Sequence, residues 1–137
     1  MTYNDIIAKI ADILKTITSI QEVFEVVPQE PKKYPYACVY PVGHQDTYLT
    51  LQDVQRDYTF KILIVGNMET TRETTQTAIR GIADQVMNAL ALQTNVKVGG
   101  TVDYSRLTNA SFSFDTTESA KYIAEITFTC RGRFARY

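Results

Sequence analysis

The stretch Arg56-Asp-Tyr-Thr-Phe-Lys-Ile-Leu-Ile-Val65 decides the fold class of this chain. Large apolar side chains recur at every second position, which is the period of a β-strand with one buried face. The last four residues are all apolar, as is typical of a strand in the interior of a sheet. The sequence therefore predicts a central strand over 56–65, with one face formed by Tyr58, Phe60, Ile62 and Ile64.

A second long strand is predicted from Lys121 to Phe134, where the even-numbered positions are apolar or small and the odd-numbered ones are mostly polar. One face would then lie in the core and the other in water, as in an antiparallel sheet with helices on one side. Shorter strands are predicted at 23–27, 36–40, 95–104 and 109–115. In the last of these, one face carries Ala110, Phe112 and Phe114.

Two amphipathic helices are predicted, one before and one after the central strand. The first begins after a candidate N-cap, Asn4, and its apolar residues recur at steps of three and four. The second covers 71–92, and Thr70 with Glu73 fits a capping box at its start. The predicted order is α-β-β-β-α-β-β-β within one domain over 1–137. The predicted fold class is α+β: a mainly antiparallel β-sheet with two amphipathic helices packed on one face and a projecting β-hairpin.

The projecting hairpin is predicted by comparing the length of the strands with the size of the domain. The closing strand of about 13 residues would span ~44 Å when extended, whereas a compact chain of this size is ~37 Å across. Gly43-His-Gln-Asp46 is predicted as a turn, and Ser105–Thr108 as a connection between strands. Apolar residues in the polar segment 43–57 have no evident partner in a small core. Because projecting strands with unpaired edges are hazards, we expect other copies of the chain to cover them.

Composition and charge exclude several classes of protein. Apolar residues make up 45% of the chain and charged residues 21%, which is typical of a folded globular domain. The net charge of −1 provides no field to attract nucleic acid or an anionic membrane. The N-terminus lacks the cationic and apolar segments of a signal peptide. Cys38 and Cys130 are interpreted as reduced core residues, so synthesis in the cytosol is expected.

No catalytic, cofactor or metal site is expected. The single histidine, His44, is interpreted as a surface turn residue, and with two distant cysteines it cannot form a zinc site. No serine lies in a Gly-x-Ser-x-Gly context. The C-terminal segment mixes cations with rings, as surfaces that bind single-stranded nucleic acid do, but in a nearly neutral chain we favour an interface or a solvated surface. Its members are Arg131, Arg133, Phe134, Arg136 and Tyr137.

Over nearly its whole length the chain resembles the tail terminator, or tail completion, proteins of long-tailed bacteriophages. The resemblance lies in the order of features: an amphipathic helix, the extended entry Pro31-Lys-Lys-Tyr-Pro-Tyr36, the strand 56–65, the helix 71–92 and the closing strand 122–134. It implies an α+β fold that closes into a hexameric ring. Such a ring caps the tail tube, ends polymerisation of the tail tube protein and joins the tail to the head–tail connector or stopper protein.

The resemblance also implies that DNA passes through the lumen without sequence-specific binding. The chain would then be a virion protein of the tail or neck, made and assembled in the bacterial host cytoplasm, with no enzymatic activity, cofactor or membrane partner. Interfaces with other subunits or with the tube are predicted at the hairpin and the closing strand. The residues chosen for these interfaces are Tyr48, Leu49, Leu51, Arg56, Arg131 and Arg133.

Other functions stay open at this point. Another phage neck protein, such as a head-completion or stopper protein, would fit the same features. A small ligand-binding α/β regulatory module would instead require a closed apolar pocket. An enzyme would require titratable groups clustered in a cleft, which the spacing of residues does not suggest.

Overall fold

A computed structural model describes residues 2–28, 33–68, 72–92, 98, 104–115 and 120–135. The sheet is open and has the strand order β1-β2-β3-β5-β4. Only the short β1 runs parallel to its neighbour β2, and the other pairs are antiparallel. The fold is therefore α+β and mainly antiparallel, as predicted. In chain order the elements are α1 (Tyr3–Lys15), β1 (Glu22–Phe24), β2 (Tyr36–Tyr48), β3 (Asp53–Asn67), α2 (Arg72–Ala91), β4 (Tyr104–Asp115) and β5 (Lys121–Ala135).

The centre of the sheet is the unbroken pairing of β3 with β5, from Asp53 opposite Ala135 to Asn67 opposite Lys121. Directly opposite residues share a face, and the even-numbered side chains from Tyr58 to Ile64 and from Tyr122 to Cys130 lie in the core that the helices cover. These side chains are buried together with the apolar stripe of α1, which confirms the predicted alternation. The sheet side of this core includes Tyr58, Phe60, Ile62, Ile64, Ala124, Ile126 and Phe128.

The helices match the prediction except at the start of α1. The N-cap is Thr2, whose hydroxyl accepts a hydrogen bond from the Asp5 amide at 3.2 Å while the Asp5 carboxylate accepts one from the Thr2 amide at 3.0 Å. The predicted cap, Asn4, is wrong because this reciprocal capping box starts the helix two residues earlier. Helix α2 agrees with the predicted 71–92, and its proposed cap Thr70 lies outside the described residues.

Two segments that were predicted to interrupt strands belong to strands in the structure. β2 continues through Gly43-His-Gln-Asp46, because a β-bulge between Pro41 and Gly43 absorbs the irregularity and pairing resumes at once. Likewise, β4 runs through Ser105–Thr108 with a register shift between Leu107 and Asn109. The true turn is at 49–52. The predicted strand 95–104 lies almost wholly outside the described residues.

The sheet extends past the start of α1, so the predicted hairpin projects beyond that helix. Tyr3, at the start of α1, packs edge-on against Tyr58 with ring centroids 4.9 Å apart. From Tyr58 the strand β3 continues for five more residues to Asp53, about 17 Å of extended chain. We call this projecting part, residues 44–57 with 130–135, the distal arm.

Candidate assembly surface

The end of the distal arm exposes a group of apolar side chains. Leu51 is 88% exposed, Tyr48 61% and Leu49 40%. Their positions are set by a hydrogen-bonded turn, in which the amides of Leu49 and Thr50 donate to the Asp53 carbonyl at 3.0 and 3.3 Å. The Thr50 hydroxyl also accepts from the amides of Gln52 and Asp53. We call residues 47–52 the hairpin tip, an ordered turn that holds two leucines and a tyrosine at the surface.

Arg56, a predicted interface residue, forms an ion pair within the arm. Its guanidinium donates to both carboxylate oxygens of Asp46 on the neighbouring strand, at 2.6 and 3.1 Å. This hydrogen bonding lowers the pKa of Asp46 and raises that of Arg56. Since bidentate pairs fix the relative orientation of their two strands, Arg56 stiffens the arm whatever else it contacts.

The base of the arm is tied to α1. The Tyr3 hydroxyl and Nδ1 of His44 form a short hydrogen bond, and the Tyr3 ring also meets Phe60. His44 lies within β2 rather than in the predicted surface turn, because the β-bulge carries the strand past this position. The helix thus holds the hairpin where it leaves the body.

The arginines of β5 lie on the opposite face of the arm, away from the helices. Arg131 donates to both oxygens of Asp57 at 2.7 and 3.2 Å, which links β5 to β3. Arg133 is exposed and lies opposite Gln55 in the register. The structure therefore brings all six predicted residues into the distal arm. Tyr48, Leu49 and Leu51 lie in the hairpin tip. Arg56 and Arg131 link neighbouring strands of the arm through their ion pairs.

Sequence reasoning missed a second exposed apolar surface, on β4. Phe112 and Phe114 lie opposite the buried Ala124 and Tyr122, and therefore on the helix-bearing face of the sheet. Yet Phe112 is 43% exposed and Phe114 60%, because the core ends before this outermost strand. Both rings pack on Tyr122, with centroids 6.0 and 5.1 Å away. The uncharged run from Leu107 to Phe114 was the available signal, and it is equally compatible with a buried strand.

Other chemistry in the described part of the chain is sparse. Cys38 and Cys130 are free and fully buried, and burial raises their pKa values to about 11 and about 12. The described residues contain no group of three or more His, Cys, Asp or Glu side chains placed to hold a metal ion. Within the same residues, no helix is long and apolar enough to cross a membrane.

Concave regions among the described residues include two candidate ligand sites. A cavity of about 150 Å³ lies between α2 and Tyr34-Pro35, well below the ~300 Å³ at which small-molecule pockets begin. A wider concavity of about 440 Å³ crosses the sheet and is lined in part by Gln45, Asp57 and Arg106. It is open and mainly polar, unlike the enclosed apolar pocket expected of a ligand-binding module.

No family model matches the chain, and no curated protein matches it. Among solved structures, a chain of the virion of a native gene transfer agent particle is similar, with a TM-score of 0.59. The two are 15% identical, over 91% of this chain and 92% of the other. A second solved structure is 18% identical to this chain, and the alignment covers 100% of this chain and 97% of the other, with a TM-score of 0.46. At such identities the first likeness shows the fold, an α+β domain with an open antiparallel sheet.

Proposed function

We propose that this chain is a structural protein of a phage-like virion that works by assembly rather than by catalysis. In this proposal its copies form a ring that caps the tail tube, stops addition of tube protein and joins the tail to the head connector. The observation that carries the proposal is the distal arm, a stiff hairpin that projects about 17 Å past the start of α1 and ends in exposed apolar side chains.

The construction of the arm supports a role in binding protein. A hairpin that was only a loop between strands would not need two bidentate ion pairs across its strands and a hydrogen bond to α1. Rigid elements lose less conformational entropy on binding, so a stiff arm favours assembly. The hairpin tip also combines tyrosine with leucines and contains no charged residue, a composition typical of the centre of a protein interface.

The similarity in fold to a chain of a gene transfer agent virion supports the virion part of the proposal. The order of features that resembles tail terminators supports the more specific role at the tube end. A second candidate is another neck protein, such as a head-completion or stopper protein. The same arm would serve it, and the location of the chain within a particle would distinguish the two.

The experiment uses the double variant Leu49→Asp/Leu51→Asp. Both side chains are exposed, so the variant should fold and melt like the wild-type protein, and circular dichroism checks this. Each carboxylate would have to lose its water if the tip were buried in an interface. We expect the variant to lose ring formation and to leave tubes of uncontrolled length when it is mixed with polymerising tail tube protein. Negative-stain electron microscopy measures the tube lengths.

The matched control is Leu92→Asp, which places one such carboxylate on a leucine that is 56% exposed just after α2 and is not part of the distal arm as defined above. This control should cap tubes like the wild-type protein. If the double variant also caps tubes normally, the hairpin tip is not the assembly surface. If the wild-type protein itself leaves tube length unchanged, the capping role is wrong and the neck alternative gains support.

A further inference from the structure

The outer strand β4 forms an edge of the sheet that the described part of the chain leaves uncovered. Within those residues β4 pairs with β5 alone, so the backbone groups along its outer edge face away from the sheet. Each of the eight residues 108–115 is exposed. Soluble proteins commonly place lysine or proline on such edges to prevent pairing with another chain, and β4 contains neither. The edge of β4 is therefore suited to pair with one more strand.

A β-bulge places the two charged residues of β4 on the same face of the sheet. Arg106 and Asp115 are nine residues apart, and in a regular strand an odd separation puts two side chains on opposite faces. The pairing with β5 skips Thr108, and this extra residue reverses the alternation. Arg106 thus lies opposite Thr129 and Asp115 opposite Lys121, both on the face away from the helices.

This spacing of charges fits a second copy of the same strand. When two copies of β4 pair antiparallel about Ser111, Arg106 of each copy lies opposite Asp115 of the other. Opposite charges that face each other across paired strands attract, and here the attraction occurs twice. Asp115 also lies opposite Lys121 in its own chain, and a carboxylate can accept hydrogen bonds from both cations. The neighbouring registers that keep the faces matched separate Arg106 from Asp115, so the charges select this register.

The same register also matches the apolar side chains on the helix-bearing face. Each Phe114 lies opposite Leu107 of the other copy, and each Phe112 lies opposite Ala110. The two phenylalanines are 60% and 43% exposed in the single chain, so pairing removes aromatic surface from water. Cross-strand pairs of a ring with a smaller apolar side chain stabilise a sheet. Both faces of the strand therefore agree with one register.

We propose that the β4 edges of two copies pair antiparallel about a two-fold axis at Ser111, which joins two sheets of five strands into one continuous sheet. The backbone supplies a row of hydrogen bonds, and the pairs of Arg106 with Asp115 fix the register. The contact uses no residue of the distal arm. A ring needs two different surfaces on each copy, whereas a two-fold contact uses one surface twice. The inference therefore goes beyond the proposed function and does not depend on it.

A single cysteine on the axis tests the pairing. In the paired state the two Ser111 residues lie directly opposite each other with Cα atoms about 4.5–5.5 Å apart, within reach of a disulfide. Ser113→Cys is the matched control, because it is exposed on the same face of the same strand, but its two copies lie roughly 14 Å apart along the strands. After mild oxidation we expect disulfide-linked dimers of Ser111→Cys at about tenfold the yield of Ser113→Cys. The native cysteines are fully buried and should not take part.

A mixture of two variants checks the register. Asn109 of one copy lies opposite Ser113 of the other in the proposed pairing, whereas neither position lies opposite itself. Asn109→Cys is therefore mixed with isotopically labelled Ser113→Cys and oxidised, and mass spectrometry identifies which chains are joined. We expect dimers of one variant with the other to exceed the dimers of either variant with itself.

Charge reversal tests the two ion pairs. Arg106→Glu places carboxylates opposite each other at both ends of the contact, and Asp115→Arg does the same with guanidinium groups. Each variant should pair with itself about tenfold more weakly than the wild-type protein does. When the two variants are mixed, opposite charges face each other again at both ends, so pairing should recover. Analytical ultracentrifugation measures the pairing, and recovery in the mixture would show that neither variant is misfolded.

The outcomes that would overturn the inference are distinct. Dimers of Ser111→Cys at the yield of Ser113→Cys would overturn the contact and leave the edge of β4 to a different protein. Predominant dimers of Ser113→Cys with itself would overturn the register. Charge-reversed variants that pair no better together than alone would overturn the role of the ion pairs. In each case the measurement of tube length tests the proposed function separately.

Discussion

The substitution Gly66→Ala tests how closely α2 packs on the sheet. This packing determines how much of β4 the core leaves uncovered. A Cβ atom added at Gly66 would lie 2.7 Å from Cγ1 of Ile79 and 2.8 Å from both Cδ1 of Ile79 and Cγ2 of Thr75. Carbon atoms in favourable contact are about 3.5–4.0 Å apart. The helix or these side chains would therefore have to move by roughly 1 Å to accept an alanine.

Neither neighbour can move freely. Ile79 is 1% exposed within the core, and the Thr75 hydroxyl donates to the Asn67 carbonyl at 3.1 Å. Overpacking of this kind costs ~1–3 kcal/mol, so Gly66→Ala should destabilise the protein by that amount. Gly81→Ala is the matched control, since Gly81 is exposed in α2 with nothing within 4 Å of an added Cβ. There alanine should stabilise the helix by roughly 0.5–1 kcal/mol.

Urea unfolding followed by circular dichroism measures both variants. We expect midpoints shifted in opposite directions from that of the wild-type protein, with the slope m unchanged because the folded surface is unchanged. In thermal melts the shift should be about 3–5 °C for each kcal/mol in a domain of this size. If Gly66→Ala is as stable as the wild-type protein, or if both variants shift in the same direction, the close packing of α2 on β3 is wrong.

Three further predictions follow from the titrating groups. The pKa of Asp46 is lowered by its hydrogen bonds with Arg56, so its stabilising effect is present above the unfolded value of 3.8 and is lost as pH falls through the lower folded value. Asp46→Asn should therefore differ from the wild-type protein in unfolding free energy by a constant amount above about pH 5, and the difference should shrink below pH 3.8. A difference independent of pH would contradict the pairing. Burial raises the pKa values of Cys38 and Cys130 to about 11 and about 12, so neither thiol should react with iodoacetamide at pH 8 until urea unfolds the chain. Rapid alkylation of the native protein would show that one of these cysteines is accessible. Above pH 9 the protein should lose stability, because the unfolded thiols, with a pKa of 9.0, ionise first.

Sequence periodicity was sufficient for the parts of the fold that bury one face. The alternation in 56–65 and 121–134 identified β3 and β5, and the three- and four-residue steps identified α1 and α2. Burial imposes these patterns directly, so they can be read without knowing the neighbouring elements. The breaks at Gly43–Asp46 and Ser105–Thr108 were predicted wrongly. A β-bulge lets a strand carry turn-like residues when its partner supplies the pairing, and the partner is not visible in local sequence.

The candidate assembly surface shows the same division. Leu49 and Leu51 were predicted as interface residues because they are apolar residues in an otherwise polar segment, with no evident partner in the core. Arg56 and Arg131 were predicted as interface residues, and their ion pairs with Asp46 and Asp57 depend on cross-strand register. Phe112 and Phe114 follow the pattern of a buried strand face. Only the position of β4 at the edge of the sheet leaves them exposed, and strand order is a property of the whole fold.

The central claim is that other copies of this chain cover the distal arm and the edge of the sheet. The most direct test is the mass of the purified protein, measured alone and together with tail tube protein by native mass spectrometry. We expect a closed assembly of identical chains, with six times the 15.5 kDa of one chain if the ring is hexameric, at the latest once tube protein is present. A single 15.5 kDa species in both samples, with tubes that grow unchecked, would contradict it.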